Sequence, residues 1–216
     1  VNVDYLGNLK LTKKNSSYTK LEKTGKLNIM IASTHENEEG LIISSLEKIS
    51  KEYQIVNFII APRHPNRSKL IYKLLQDKKL DVEYYSKFKN LDCRFLILDS
   101  FGKMEQFFNI SDIVFLGGSL LKKGGHNPIE AATANCAIIT GSNVFNWQNL
   151  YEDMVEKDAC IMVNEVKEFE TKVINLIENK NLVENLKRNA LTFSNTVFFQ
   201  EDKLLELLNN RLEKNA

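Results

Sequence analysis

Ile113-Val114-Phe115-Leu116-Gly117-Gly118-Ser119-Leu120-Leu121-Lys122-Lys123-Gly124-Gly125-His126-Asn127-Pro128-Ile129-Glu130 is the most informative run in the chain. Four apolar residues without alternation fit a parallel strand covered on both faces, and the two glycines after them let the backbone turn sharply at its carboxyl end. A second glycine pair leads to Asn127-Pro128, where Asn suits a helix cap, Pro suits the first helical position, and Glu130 stands three residues after the cap. A glycine loop between a buried strand and a helix start offers backbone N–H groups and the helix dipole to an anion, so this run reads as a phosphate site. Asn127 and Glu130 alone would describe a plain capping box. Four glycines, a histidine and two lysines in one loop exceed what a turn requires.

The same grammar extends in both directions. Asn28–Ser33, Val56–Ala61, Phe95–Asp99, Ala137–Thr140 and Cys160–Val163 are further candidate strands, mostly continuous apolar runs. Between them Glu36–Tyr53, Asn66–Lys78, Lys103–Ile110, Pro128–Asn135 and Asn146–Lys157 have helical polarity. Strand-then-helix repetition predicts an α/β fold, a Rossmann-like parallel sheet with helices on both faces. After Val163 the pattern is helical throughout, with Glu165–Asn179, Asn181–Phe193 and Phe199–Lys214 as three successive helices. In the last, Leu204, Leu205, Leu207, Leu208 and Leu212 crowd one broad face that needs a cover. Gly7–Lys26 is polar and lysine-rich. The expected organisation is a linker at 1–26, a nucleotide-binding domain at 27–198 and a terminal helix at 199–216.

Composition narrows the function. Of 216 residues 43% are hydrophobic and 26% charged, which suits a soluble globular chain with a real core. Lys plus Arg number 29 against 28 Asp plus Glu, a net charge of +1, which gives no support for nucleic-acid binding. Residues 1–26 hold six lysines against Asp4 and Glu22, a local excess of +4 that leaves −3 for the rest. That segment reads as a solvated linker, or as a contact with an anionic membrane surface or acidic substrate. Cys93, Cys136 and Cys160 form no CxxC pair and fit reduced thiols in a cytoplasmic setting. No signal peptide opens the chain and no apolar run reaches the roughly 18–20 residues of a membrane span.

Other candidate site residues also follow strands. Pro62-Arg63-His64-Pro65 places a guanidinium fork at a carboxyl edge. Ser33-Thr34-His35-Glu36 reads as a capping box from Ser33 to Glu36, with Ser33 and Thr34 facing the same crevice as the glycine loop. Asp99-Ser100-Phe101-Gly102-Lys103 closes a third strand. His35, His64 and His126 each follow a different strand, but none lies at i, i+3 or i, i+4 from another, and no metal site is expected.

Taken in order, Gly7-Asn8-Leu9-Lys10, Ser33-Thr34-His35-x-x-Glu38-Glu39, Pro62-Arg63-His64-Pro65, Asp99-Ser100-Phe101-Gly102, Gly117-Gly118-Ser119 through Gly124-Gly125-His126-Asn127-Pro128-x-Glu130, and Phe145-Asn146-Trp147 resemble one family. It is the C-terminal, donor-binding half of the 3-deoxy-D-manno-octulosonic acid (Kdo) transferases of lipopolysaccharide synthesis. The resemblance spans about residues 3–165. It implies the C-terminal lobe of a two-lobed GT-B glycosyltransferase that holds CMP-Kdo and passes the sugar to a lipid A precursor, with no cofactor. By motif, Pro62, Arg63, Phe101, Gly102, Lys103, Asn127, Pro128, Ile129 and Glu130 would line the CMP site, Glu130 holding the ribose hydroxyls. Ser33, Thr34, Gly117, Gly118, Ser119, Gly124, Gly125 and His126 would form the supporting loop, the Gly124-Gly125 amides and the Pro128 helix stabilising phosphate charge as CMP leaves. Lys10 resembles a residue proposed to stabilise the transition state.

Two departures qualify that picture. The family's usual Met-Gly-Glu turn is Phe101-Gly102-Lys103 here, a reversed charge beside the nucleotide. No residue of this chain matches the family's glutamate base, which belongs to the N-terminal lobe together with the acceptor surface and membrane anchor. The expectation is therefore half an enzyme, inactive alone, its last helix packing toward the absent lobe on the cytoplasmic side of the bacterial inner membrane. Three alternatives stay open: a UDP-sugar transferase or epimerase of the same architecture, a non-catalytic nucleotide-binding module of a split or decayed gene, and a regulatory domain that binds nothing.

Overall fold

The structure is a computed structural model that describes residues 21, 23, 25–87 and 93–213, with side chains as far as residue 197. Its centre is a seven-stranded sheet in which every pairing is parallel. The strands are β1 (Leu27–Thr34), β2 (Val56–Pro62), β3 (Val82–Tyr84), β4 (Phe95–Ile97), β5 (Ile113–Leu116), β6 (Ala137–Gly141) and β7 (Ile161–Val163), in the order β3-β4-β2-β1-β5-β6-β7. Six of the seven follow the apolar runs of the sequence. The seventh, β3, is an edge strand of three residues in which only Val82 is buried, too short to leave a periodic signal.

Helices α1 (Glu38–Glu52), α2 (Ser68–Asp77), α3 (Met104–Ile110), α4 (Ile129–Thr133), α5 (Gln148–Glu156), α6 (Val166–Glu178) and α7 (Lys180–Glu213) connect and cover the strands. Side chains alternate across a strand, so successive core residues enter two different layers. Ile29, Ile31, Phe58, Ile60, Ile113 and Phe115 face one cluster, closed by Ile42 and Leu46 of α1, Leu75 of α2 and Phe169 of α6. Met30, Ala32, Ile59, Ala61, Val114 and Leu116 face the other, closed by Phe107 of α3, Ala131 of α4, Tyr151 of α5 and Ala190 of α7. The expected Rossmann-like sheet with helices on both faces is thus the observed architecture.

Three local expectations are corrected. The last two expected helices are one, α7, which runs unbroken through Ser194-Asn195-Thr196. Ser194 Oγ donates to the Leu191 carbonyl at 2.8 Å and Thr196 Oγ1 to the Phe193 carbonyl at 2.7 Å, so these polar side chains bond back into the helix instead of ending it. The predicted cap at Ser33 does not form: Ser33 has φ 57 and marks a bulge between Ala32 and Thr34, while α1 begins at Glu38, after Asn37. Finally, α4 has five residues rather than the eight of Pro128–Asn135, because Ala134 and Asn135 already turn into β6. The 1–26 linker and the Gly7–Lys26 reading lie almost wholly outside the described residues. Among those residues no helix is long and apolar enough to cross a membrane.

Candidate functional site

The strand order reverses between β1 and β5. From β1 the chain builds outward through β2 and β4, then returns to lay β5 on the other side of β1. In an open parallel sheet, loops leaving the carboxyl ends of two such strands part and leave a crevice. Here the crevice lies between Ser33–Asn37 and Gly117–His126, two of the loops singled out in the sequence.

Its floor is closed by a protein carboxylate. Glu38 is fully buried, and its oxygens accept from the backbone N–H groups of Gly118 at 2.7 Å, Ser119 at 3.1 Å, Leu120 at 3.1 Å and His35 at 3.2 Å. Four donors converging on one ionised group satisfy both it and themselves, which a buried charge requires. The first half of the glycine loop therefore grips an internal anion, and its amides are already engaged. Gly117 is needed for that approach, because a Cβ there would stand 2.8 Å from Glu38 Oε2 and 2.8 Å from Thr34 Cα. Glu39 is buried beside it, taking Thr34 Oγ1 at 3.1 Å and the Arg67 guanidinium at 3.2 and 3.0 Å. Thr34 thus points into the protein rather than the crevice.

Above this floor the three histidines gather. His35 Nε2 and His126 Nε2 are 2.9 Å apart, with ring planes inclined by only 14°. Their ring centres are 5.1 Å apart, so the spacing is the N–N distance extended by the two rings: they meet edge to edge through one hydrogen bond. His64 approaches His35 at right angles, centroid to centroid 6.5 Å. Gly118, at φ 68, makes room for the pair, since a Cβ would lie 3.0 Å from His35 Cδ2 and 3.3 Å from His126 Nε2. Burial holds His126 down to about 4, with His35 and Arg63 adding to the effect. Burial also lowers His35, opposed by Glu38 and reinforced by Lys123, His64 and Arg63. Both imidazoles are neutral at pH 7. Among the described residues no ion pair engages Arg63 or Lys123, so the crevice mouth carries cations that none of those residues neutralises.

The loop is also tied to the end of β6, through Ser119, and to the Phe145-Asn146-Trp147 segment, through Gly124. Ser119 Oγ donates to Leu116 O at 2.6 Å and accepts from Gly141 N at 2.7 Å, while Asn146 N donates to Gly124 O at 3.1 Å. The fully buried Tyr151 donates its hydroxyl to His126 O at 2.8 Å. Sequence reasoning missed Glu38 and Tyr151 as parts of the site. The signal for the first was present in Glu38-Glu39, two acids ahead of an apolar helix face.

Asn127 Oδ1 accepts from Ile129 N at 3.0 Å, so Asn127 acts as the cap although Pro128 already has helical dihedrals. That bond engages the first amide of α4 and Pro128 has none to offer. Glu130 is on the exposed side of this turn. Pro62 ends β2 in a buried position, and Arg63 N donates to Thr34 O at 2.9 Å, which fixes the Arg63 backbone against β1. The Phe101-Gly102-Lys103 turn stands at the same sheet edge beyond β4, two strand positions from β1; Phe101 is 75% exposed and Gly102 has φ 74. Lys10 lies outside the described residues. Among those residues no group of three His, Cys, Asp or Glu side chains is placed to hold a metal ion. Burial pushes the Cys136 thiol up to about 12 and raises the Cys160 thiol as well, as expected of thiols in an apolar core.

No protein-family model matches the chain. It is 31% identical over its whole length to a 3-deoxy-D-manno-octulosonic acid transferase of Haemophilus influenzae, covering 51% of that protein, so it spans about half the length of this curated relative. A second transferase of the same name, from Rickettsia conorii, is 30% identical over 76% of this chain and 36% of its own length. Among solved structures, the C-terminal CMP-Kdo binding domain of WaaA from Acinetobacter baumannii matches with a TM-score of 0.73 and 24% identity, over 78% of this chain and 89% of that domain. The chain is therefore similar to one half of the Kdo transferases, as its motifs implied, and its fold is that of a GT-B C-terminal lobe.

Proposed function

We propose that this chain is the donor-binding half of a glycosyltransferase that takes CMP-Kdo and transfers Kdo to a lipid A precursor. The observation that carries the proposal is the alignment of the entire chain with half of a Kdo transferase. Arg63 and Lys123 at the switch-point crevice, which no ion pair among the described residues engages, support it, because a cytidine monophosphate sugar is an anion and needs cations at its phosphate.

On this reading Pro62, Arg63, Phe101, Gly102, Lys103, Asn127, Pro128, Ile129 and Glu130 line the nucleotide. Glu130 accepts from the ribose hydroxyls, and Arg63 and Lys123 balance the charge that grows as CMP leaves. The Gly118, Ser119 and Leu120 amides, held by Glu38, serve as scaffold, the Gly117 and Gly125 amides donate to Ala32 O and Gly118 O, and phosphate contacts fall to side-chain cations and Gly124. Lys10 stabilises the transition state. The general base must reach the acceptor hydroxyl directly or through one water, and it comes from an N-terminal lobe. That lobe also carries the acceptor surface and the association with the cytoplasmic face of the inner membrane, and the end of α7 packs toward it.

Calorimetric titration with CMP, and separately with UMP, tests this reading against a Glu130→Ala variant. The expected result is saturable CMP binding, weaker UMP binding, and an affinity about 10-fold or more lower in the variant, the size of one lost charged hydrogen bond. Equal binding of UMP would transfer the site to a uridine-nucleotide sugar, and no binding by the folded chain would reject a self-sufficient donor site.

A further inference from the structure

We propose that Phe145 is the platform for the donor's sugar: its exposed ring, fixed beside Gly124, takes the apolar face of an acidic pyranose and so selects what the nucleotide carries. The inference rests on the donor-site reading above and adds to it the residue that recognises the sugar.

Phe101 and Phe145 are the two most exposed large apolar side chains among the described residues, at 75% and 62%. Both stand on loops at the carboxyl edge of the sheet, Phe101 after β4 and Phe145 after β6. A single exposed apolar residue needs no explanation of its own. Phe145 differs in how firmly its neighbours are tied. Val144 is fully buried, and a Cβ on Gly125 would lie 2.9 Å from its Cγ1. Asn146 donates its backbone N–H to Gly124 O at 3.1 Å and its Nδ2 to Lys123 O at 3.4 Å, while Trp147 N donates to Val144 O at 2.7 Å. The ring itself reaches the glycine loop: a Cβ on Gly124 would stand 2.8 Å from Phe145 Cε2 and 2.0 Å from Asn146 Nδ2. Residue 124 is therefore a glycine so that this segment can close on it. An aromatic ring held in place while mostly exposed loses little further freedom when a ligand covers it.

Its place in the sheet selects the ligand. The strands before Phe101 and Phe145, β4 and β6, are four spacings apart in the strand order, about 19 Å, too far for one base to lie on both rings. On the donor reading the base goes with Phe101, the ribose with Glu130 and the phosphate with Gly124. In a nucleoside monophosphate sugar the phosphate joins the ribose to the sugar, so with the ribose held by Glu130 the ring at Gly124 is left to the sugar.

The class of sugar follows from the same loop. An aromatic face covers the C–H face of a pyranose as it covers other apolar surface. Lys122 and Lys123, both exposed, precede Gly124 directly, and no ion pair among the described residues engages them. Cations beside an apolar platform suit a sugar that carries a carboxylate.

The test measures the affinities of the 216-residue chain for CMP-Kdo and for CMP by calorimetry, in the parent and in Phe145→Ala, with NOEs from the Phe145 ring to CMP-Kdo recorded in the parent. Expected are NOEs to sugar protons and a ratio of CMP-Kdo to CMP affinity about 3- to 10-fold lower in Phe145→Ala, the size of one aromatic contact. Phe145→Tyr, which keeps the ring, should keep the ratio. The double variant Lys122→Ala, Lys123→Ala should lower it, and an unchanged ratio there overturns the acidic assignment of the sugar. Circular dichroism checks folding; if Phe145→Ala does not fold, Phe145→Leu and the parent NOEs decide. Equal loss of CMP and CMP-Kdo affinity in Phe145→Ala would put the ring on the nucleotide and overturn the proposal while the donor reading stands. So would an unchanged ratio without NOEs to the sugar. A folded parent that binds neither probe rejects the donor reading and this proposal with it.

Discussion

Glu38 Oε2 accepts the Gly118 N–H at 2.7 Å, joining the first turn of α1 to the glycine loop after β5 across the switch point of the sheet. A loop whose composition advertises an external phosphate is thus organised around an internal carboxylate. The consequence is a division of labour: Glu38 shapes the loop, and the cations beside it are left to meet a ligand.

Replacing Glu38 by Gln keeps the size but turns an amide NH2 toward backbone donors. Each buried N–H that loses its partner costs about 1–3 kcal/mol, so Glu38→Gln should lower unfolding stability by roughly 2–4 kcal/mol. Urea denaturation checks this, and a variant as stable as the parent would mean that the Glu38 carboxylate does not organise the loop.

Gly118→Ala tests the fit between the loop and the histidines. At φ 68 an added Cβ is strained and lies 3.0–3.3 Å from the two imidazoles. A loss of about 1–2 kcal/mol is expected from the backbone conformation alone. The His35 and His126 ring resonances should shift in the variant while those of the opposite sheet edge stay in place.

His126 also sets a pH dependence. Its folded pKa is about 4 against 6.5 for the free side chain, so between those values the unfolded chain binds more protons. Stability should therefore fall as pH drops from about 6.5 to 4, by about 2 kcal/mol once the solvent reaching the ring is allowed for. Equilibrium unfolding across this range should show a slope that His126→Asn flattens.

Tyr151→Phe leaves the His126 carbonyl without the hydroxyl that lies 2.8 Å away. An expected loss of about 1–2 kcal/mol would appear as a lower melting temperature. On the proposed function, CMP affinity should also weaken, because the loop that presents His126 loses its anchor.

Much of the architecture is legible in the sequence because buried parallel strands write themselves as unbroken apolar runs: Ile113–Leu116 and Ala137–Thr140 match β5 and β6 almost to the residue. What escapes is β3, whose three residues bury only Val82, and the continuity of α7, where Ser194 and Thr196 look like breakers until their hydroxyls are seen bonding to carbonyls three residues back. The site loops are legible as places, since they follow strand ends, but not as contacts. Nothing in the spacing of His35 and His126 says that their Nε2 atoms meet, and Ser33 offers a plausible cap that its positive φ and the bulge remove. Such pairings depend on which strands become neighbours, and that is settled by the sheet order rather than by local sequence.

If the chain is a donor-binding lobe, a cytidine nucleotide docks at the carboxyl edge of the sheet, over the β1/β5 switch point. Backbone amide NMR of the chain titrated with CMP is the decisive measurement. Saturable shifts are expected to concentrate at Arg63, Phe101–Lys103, Lys123 and Ile129–Glu130, and to be reduced by Arg63→Ala and by added salt. Saturable shifts confined to the opposite edge of the sheet, around Asn28 and Asp112, would contradict docking at the switch point.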